Sequence, residues 1–133
     1  MAGVMHRNSS NHALRTLLLT ISLLLSLVAL QAEERPAQPE SFATFLAGFK
    51  RAVAKNDKEA VAAATKFPFY GELSKAEFIE KYPSLFTKEV QKCFATAKPV
   101  KDGASYFVFC GEKIFTFEKV NGAYKFTGID RND

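Results

Sequence analysis

Residues 104–129 read Ala-Ser-Tyr-Phe-Val-Phe-Cys-Gly-Glu-Lys-Ile-Phe-Thr-Phe-Glu-Lys-Val-Asn-Gly-Ala-Tyr-Lys-Phe-Thr-Gly-Ile. Three runs rich in aromatic and β-branched residues are separated by Gly111-Glu112 and Asn121-Gly122, which spells a three-stranded antiparallel meander, about 104–110, 113–119 and 123–129. Asn121-Gly122 is the strongest turn, because both residues tolerate positive φ. A two-residue loop there pairs Val120 with Ala123. It then sets Glu118 against Lys125, Phe117 against Phe126 and Thr116 against Thr127, pairs that cross-strand energetics favours. Gly111-Glu112 similarly pairs Val108 with Phe115 and Tyr106 with Phe117. One face of this sheet gathers Tyr106, Val108, Cys110, Phe115, Phe117, Tyr124 and Phe126. The other carries Phe107, Phe109, Ile114 and Ile129 beside Thr116, Thr127, Glu118 and Lys125.

Upstream the period changes to that of a helix. Ser41 is an N-cap for Phe42, Phe45, Leu46, Phe49 and Val53, which form the apolar stripe of a helix over about 41–55. Asn56-Asp57 breaks it and caps a second, alanine-rich helix through Ala60, Val61, Ala64 and Phe67, ended by Pro68. In Leu73-Ser74-Lys75-Ala76-Glu77-Phe78, Ser74 and Glu77 make a capping box, and Leu73 with Phe78 makes a hydrophobic staple. Ile79 and Tyr82 extend that helix until Pro83 interrupts it. Residues 87–97 admit helix or strand; Leu85, Phe86, Val90, Cys93, Phe94 and Ala97 fit a helical stripe better than alternation, so a fourth helix is expected, capped by Thr87 and followed by Pro99. The expected fold class is therefore α+β, with about four N-terminal helices packed on one face of a three-stranded antiparallel meander.

The N-terminal end reads differently. Basic residues up to Arg15, an apolar run from Leu17 to Leu30, and Ala29-Leu30-Gln31-Ala32 have the layout of a secretory signal peptide. The apolar run is shorter than the ~20 residues of a spanning helix. The expected organisation is a removed signal over 1–32, cut after Ala32 or, failing that, Ala29. A flexible leader over 33–40 carries Pro36 and Pro39, and one α+β domain spans 41–133. The protein is then exported, periplasmic or secreted, with no stable membrane insertion after cleavage. The signal takes with it His6, His12 and two positive charges, Arg7 and Arg15, from a formal +4. What remains is near balance, with its basic residues scattered, and that excludes an electrostatic nucleic-acid binder.

Cys93 and Cys110 are the two cysteines. In an oxidising compartment they read as a structural disulfide tying the fourth helix to the sheet. Two buried free thiols, or a redox or metal role, are the alternatives. No zinc shell can be completed without histidine unless carboxylates join, so no metal or other cofactor is expected. A chain lacking histidine after residue 32 excludes Ser–His and Cys–His nucleophile systems. No phosphate loop or dinucleotide glycine pattern occurs. The acids fall mostly on solvent faces or helix starts, so no catalytic residue is assigned.

Two candidate sites remain. Phe107, Phe109, Ile114 and Ile129 on the second sheet face form a candidate interaction surface for a protein partner or a second copy, unless the fourth helix or the leader covers it. Phe67, Phe69, Tyr70, Tyr82 and Tyr106 could line an aromatic cavity for a small apolar ligand, or simply fill the core.

Several local motifs together resemble a known architecture. They are the aromatic first helix (Phe42, Phe45, Phe49), Phe67-Pro68, the Ser74-to-Phe78 helix leading to Tyr82 and Leu85-Phe86, and the closing Gly111, Phe115 and Phe117. The order is similar to a shortened cystatin-like α+β superfold of the nuclear-transport-factor and ketosteroid-isomerase type, and to small bacterial exported proteins. The resemblance implies a cone that binds small molecules or a sheet that dimerises. No residue maps onto the isomerase acids, so it implies no catalytic role. The functional expectation is an exported, non-catalytic protein-binding module, of an inhibitor or immunity type. A small apolar-ligand carrier stands second and a carboxylate-based enzyme third.

Overall fold

In the computed structural model, which describes Gly3 and residues 39–132, Asn121 and Gly122 adopt φ of 52° and 82°. The two-residue turn thus forms as its residue types require. The sheet has four antiparallel strands in sequential order: β1 (Val100–Asp102), β2 (Ser105–Cys110), β3 (Lys113–Val120) and β4 (Ala123–Arg131). The expectation of three strands is corrected by β1. Three residues are too few to show alternation, and Gly103, at φ 57°, turns the chain so that Val100 pairs with Phe107.

The β2–β3 register follows the expected pairing, with Val108 opposite Phe115 and Tyr106 opposite Phe117. The β3–β4 register does so only near the turn, at Val120–Ala123, Glu118–Lys125 and Phe117–Phe126. The next pair is Thr116–Gly128, so Thr127 is an extra residue, a β-bulge, and the expected Thr116–Thr127 pair does not form. The side-chain period of a strand is two, so one extra residue exchanges the faces of everything after it. Ile129 pairs with Phe115 and packs against the hydrophobic core, leaving the face shared by Phe107, Phe109 and Ile114. Without the bulge Gly128 would stand opposite Phe115 and Ile129 would face outward. The bulge sets a partly buried isoleucine against the core in place of a glycine, a gain below the ~1.5–3 kcal/mol of full burial.

Four helices precede the sheet: α1 (Phe42–Ala54), α2 (Lys58–Ala63), α3 (Lys75–Leu85) and α4 (Lys88–Thr96). Each starts at a capping side chain, Ser41, Asp57, Ser74 and Thr87, that accepts a backbone N–H of the first turn. At Ser74 the capping box is complete, with Glu77 Oε2 accepting from the Ser74 N–H at 2.8 Å. Pro83 does not interrupt α3. It sits in the last turn, where its missing N–H costs one bond, and Phe86 N still donates to Tyr82 O at 2.9 Å. α2 ends at Ala63, short of the expected Pro68, because the next residues bond to β4. Phe126 N donates to Ala64 O (2.8 Å) and Lys66 N to Phe126 O (2.9 Å).

Phenylalanine fills the interior. The Phe126 ring lies 5.1–6.4 Å from those of Phe49, Phe69, Phe78, Phe86, Phe115 and Phe117. Phe49 of α1 meets Phe117 edge-on at 5.1 Å, and Phe94 of α4 meets Phe115 at 4.8 Å, separations at which aromatic pairs add to their burial. Cys93 of α4 and Cys110 of β2 form a disulfide with Cα atoms 5.7 Å apart, and neither free-thiol nor metal roles remain for them. The segment read as a signal peptide lies, Gly3 apart, outside the described residues, as do leader positions 33–38. Among the described residues no helix is long and apolar enough to cross a membrane.

Candidate functional site

Val108, Cys110, Phe115, Phe117 and Phe126 are buried, so one set of alternate strand positions is spent on the core. The other set supplies the candidate surface. Phe109 is 45% exposed and Val100 52%, while Phe107 and Ile114 are half-buried. Val100 pairs with Phe107, and Ile114 pairs with Phe109, so these four residues form adjoining rows across β1, β2 and β3. Val100 was missed in the sequence because β1 was missed. Its signal was Asp102-Gly103, where the strand ends and the turn begins.

The edges of the sheet are poor places for a partner strand. Residues 64–66 bond both backbone groups of Phe126 on the outer side of β4. Farther along, the Tyr70 hydroxyl accepts a hydrogen bond from the Ile129 N–H. β1, at the opposite edge, is three residues long. Short and occupied edges discourage strand addition, which leaves the face.

Tyr70 also shapes that face. It holds φ of 55°, an uncommon backbone for a bulky residue, and its ring seats on the bare backbone of β4. A Cβ at Gly128 would lie 3.6 Å from Tyr70 Cε1. Partial burial pushes the phenol pKa up, the Ile129 N–H draws it down, and the nearby Asp130 carboxylate raises it again. Between this loop and the strands lies a cavity of about 300 Å³, bordered by Lys66, Tyr70, Thr116, Glu118, Thr127 and Asp130 among others. Ser105 Oγ donates to Glu118 Oε1 (2.9 Å), and Thr127 Oγ1 donates to Thr116 O (3.3 Å). The Thr116 hydroxyl oxygen is buried without a partner among the described residues. Among the described residues the ion pair is Lys75–Glu59 at 3.6 Å, so no salt bridge neutralises Glu118 or Asp130. No local pattern marks these residues in the sequence, since the bulge and the Tyr70 loop bring them together.

The five aromatic residues proposed for a cavity do not converge on one. Tyr70 alone of them borders the cavity just described. Phe69 and Tyr82 are fully buried in the core, Phe67 packs on Phe78 with ring centroids 5.5 Å apart, and Tyr106 stacks on Phe42 at 3.7 Å. The buried Tyr82 hydroxyl lacks a partner among the described residues, and burial, with Asp57 nearby, pushes its pKa up to about 12. It therefore stays protonated at neutral pH. Among the described residues no group of three or more His, Cys, Asp or Glu could hold a metal ion. The cavity rim at Lys66, Pro68, Tyr70, Gly71 and Asp130 is exposed, and Glu118 is half-buried. No protein-family model, curated protein or solved structure matches the chain. The resemblance to the cystatin-like superfold rests on the local motifs alone.

Proposed function

We propose that this is an exported, non-catalytic binding module whose helices cover one face of the sheet and whose opposite face meets a partner protein. The observation that carries the reading is the row of Val100, Phe107, Phe109 and Ile114, where two large apolar side chains are about half exposed on neighbouring strands. Scattered apolar residues on a surface are ordinary, but a contiguous group rimmed by polar residues marks an interaction site. The disulfide suits an oxidising compartment and thereby the export reading. The polar, open cavity beside Tyr70 suits an apolar-ligand carrier poorly, because such pockets are mostly apolar and enclose their ligand.

The test is native mass spectrometry on C-terminally tagged protein purified gently from an exported fraction, alongside Phe109→Asp. The expected result is a protein-sized added mass, either another chain or a second copy, that disappears in Phe109→Asp while its circular dichroism and melting temperature stay near wild type. Retention of the added mass by a folded Phe109→Asp variant would remove the sheet face as the binding surface. An added small-molecule mass would favour the carrier.

A further inference from the structure

Charge is divided unequally between the two sets of strand positions. Lys101, Lys113, Lys119 and Arg131 share the set that also supplies the core, and that set holds no acid. The open set holds Asp102, Glu118 and Asp130 against Lys125. Lys125 pairs with Glu118 and donates from Nζ to the neutral Ala63 carbonyl at 2.9 Å, which leaves its charge in place, so acids outnumber bases three to one on these positions. A chain with a formal charge of +4 thus presents a locally acidic sheet face.

The acidic part is a cavity, and it adjoins the apolar rows. Ile114 pairs with Asp130, and Phe107 pairs with Thr116. The half-exposed patch therefore runs directly into the cavity wall. Glu118 and Asp130 border that cavity at separate points of its wall, since Asp130 pairs with Ile114, four residues along β3 from Glu118, and Lys66 stands on its rim. Among the described residues the Thr116 hydroxyl on the same wall has no partner. A volume of about 300 Å³ is at the lower end of small-molecule pockets. It suits one long side chain better than a larger ligand. Carboxylates and hydroxyls are acceptors, and the long side chains that bring donors and positive charge to such a wall are lysine and, with more donors, arginine.

We infer that the cavity receives the cationic head of an arginine or lysine side chain of the partner protein, whose neighbouring apolar residues rest on Phe107, Phe109 and Ile114. This rests on the sheet-face reading and specifies the chemistry of the partner: an apolar segment carrying a positive charge. Opposed charge sets register and selectivity on a face whose apolar rows alone would accept many partners.

The experiment uses the ¹⁵N-labelled protein and three acetylated, amidated pentapeptides, Leu-Val-Arg-Leu-Val and its Gln and Glu counterparts, followed by amide chemical shifts. The arginine peptide is expected to shift Thr116, Gly128 and Asp130 together with Phe109. It should bind about tenfold more tightly than the glutamine peptide at low salt, a preference that shrinks toward ~0.5 M salt. Glu118→Gln with Asp130→Asn, which keep shape and acceptor oxygens, should abolish the preference and leave the glutamine peptide's affinity unchanged. Equal binding of the arginine and glutamine peptides, with shifts at Phe107 and Phe109, would overturn this inference and leave the sheet-face reading standing. Arginine amide alone binding the cavity as tightly as the peptide would overturn the protein source of the cation. Absence of binding by all three peptides would also overturn the inference, while Phe109→Asp in the native complex decides the sheet-face reading separately.

Discussion

The cross-link between Cys93 and Cys110 offers the most direct energetic test of this fold. The two residues are 17 apart in sequence. On the chain-entropy account, a loop of that length restricts the unfolded chain by about 3 kcal/mol at 25 °C. For a domain of this size each kcal/mol moves the melting temperature by roughly 4–8 °C, so losing the link should lower it by about 12–24 °C. Two perturbations separate the link from the sulfur atoms. Reduction of the wild type removes the bond and keeps both thiols in place. Cys93→Ala with Cys110→Ala also removes packing from Cys110, which is 6% exposed, so it should cost slightly more. The assay is calorimetry with urea unfolding of the oxidised, reduced and double-alanine proteins. The urea slope should rise when the link is lost, because the unlinked chain exposes more surface on unfolding. A loss below about 1 kcal/mol in both cases would refute the reasoning, since the unfolded chain would then be restrained with or without the bond.

Two further predictions concern the core and the caps. Phe126→Ala should cost about 3–5 kcal/mol in urea unfolding, because a ring in contact distance of six others leaves a cavity that few neighbours can fill; a cost under 1 kcal/mol would mean that the helices and sheet close over the gap. The Glu77 carboxyl is held below its usual pKa by the Ser74 backbone N–H and then by the Ser74 hydroxyl. Its contribution is therefore present above the ordinary carboxylate pKa and is lost as pH falls through the lower folded value. Melting temperature plotted against pH should fall less steeply through that acid window in Glu77→Gln than in the wild type, and parallel curves would show that the capping box carries no pH dependence.

Much of the architecture is legible in residue order because local rules write it. Ser74 and Glu77 satisfy each other within one turn, and Asn121-Gly122 accepts positive φ, so the capping box and the hairpin form without reference to anything distant. The register near that turn, Phe117 with Phe126 and Glu118 with Lys125, follows from the same local geometry. The α+β class and the pairing of Cys93 with Cys110 are legible too, the first from the change of period and the second from there being two cysteines and no other partner.

The tertiary structure decided what happens where segments far apart compete for the same groups. α2 stops at Ala63 because Ala64 and Lys66 are claimed by the backbone of Phe126, a bond across the fold that outweighs further helical turns. The bulge at Thr127 turns Ile129 toward the core and Gly128 outward under Tyr70, and the packing of Ile129 beside Phe115 that goes with it is not visible in the spacing of either strand. The candidate surface changed with it: Ile129 left, Val100 joined, and Glu118 and Asp130 came to share one cavity with Lys66. Sequence periodicity reports which side of its own strand a residue takes. A single inserted residue reverses that side, and only the packing of the whole chain fixes where the insertion falls.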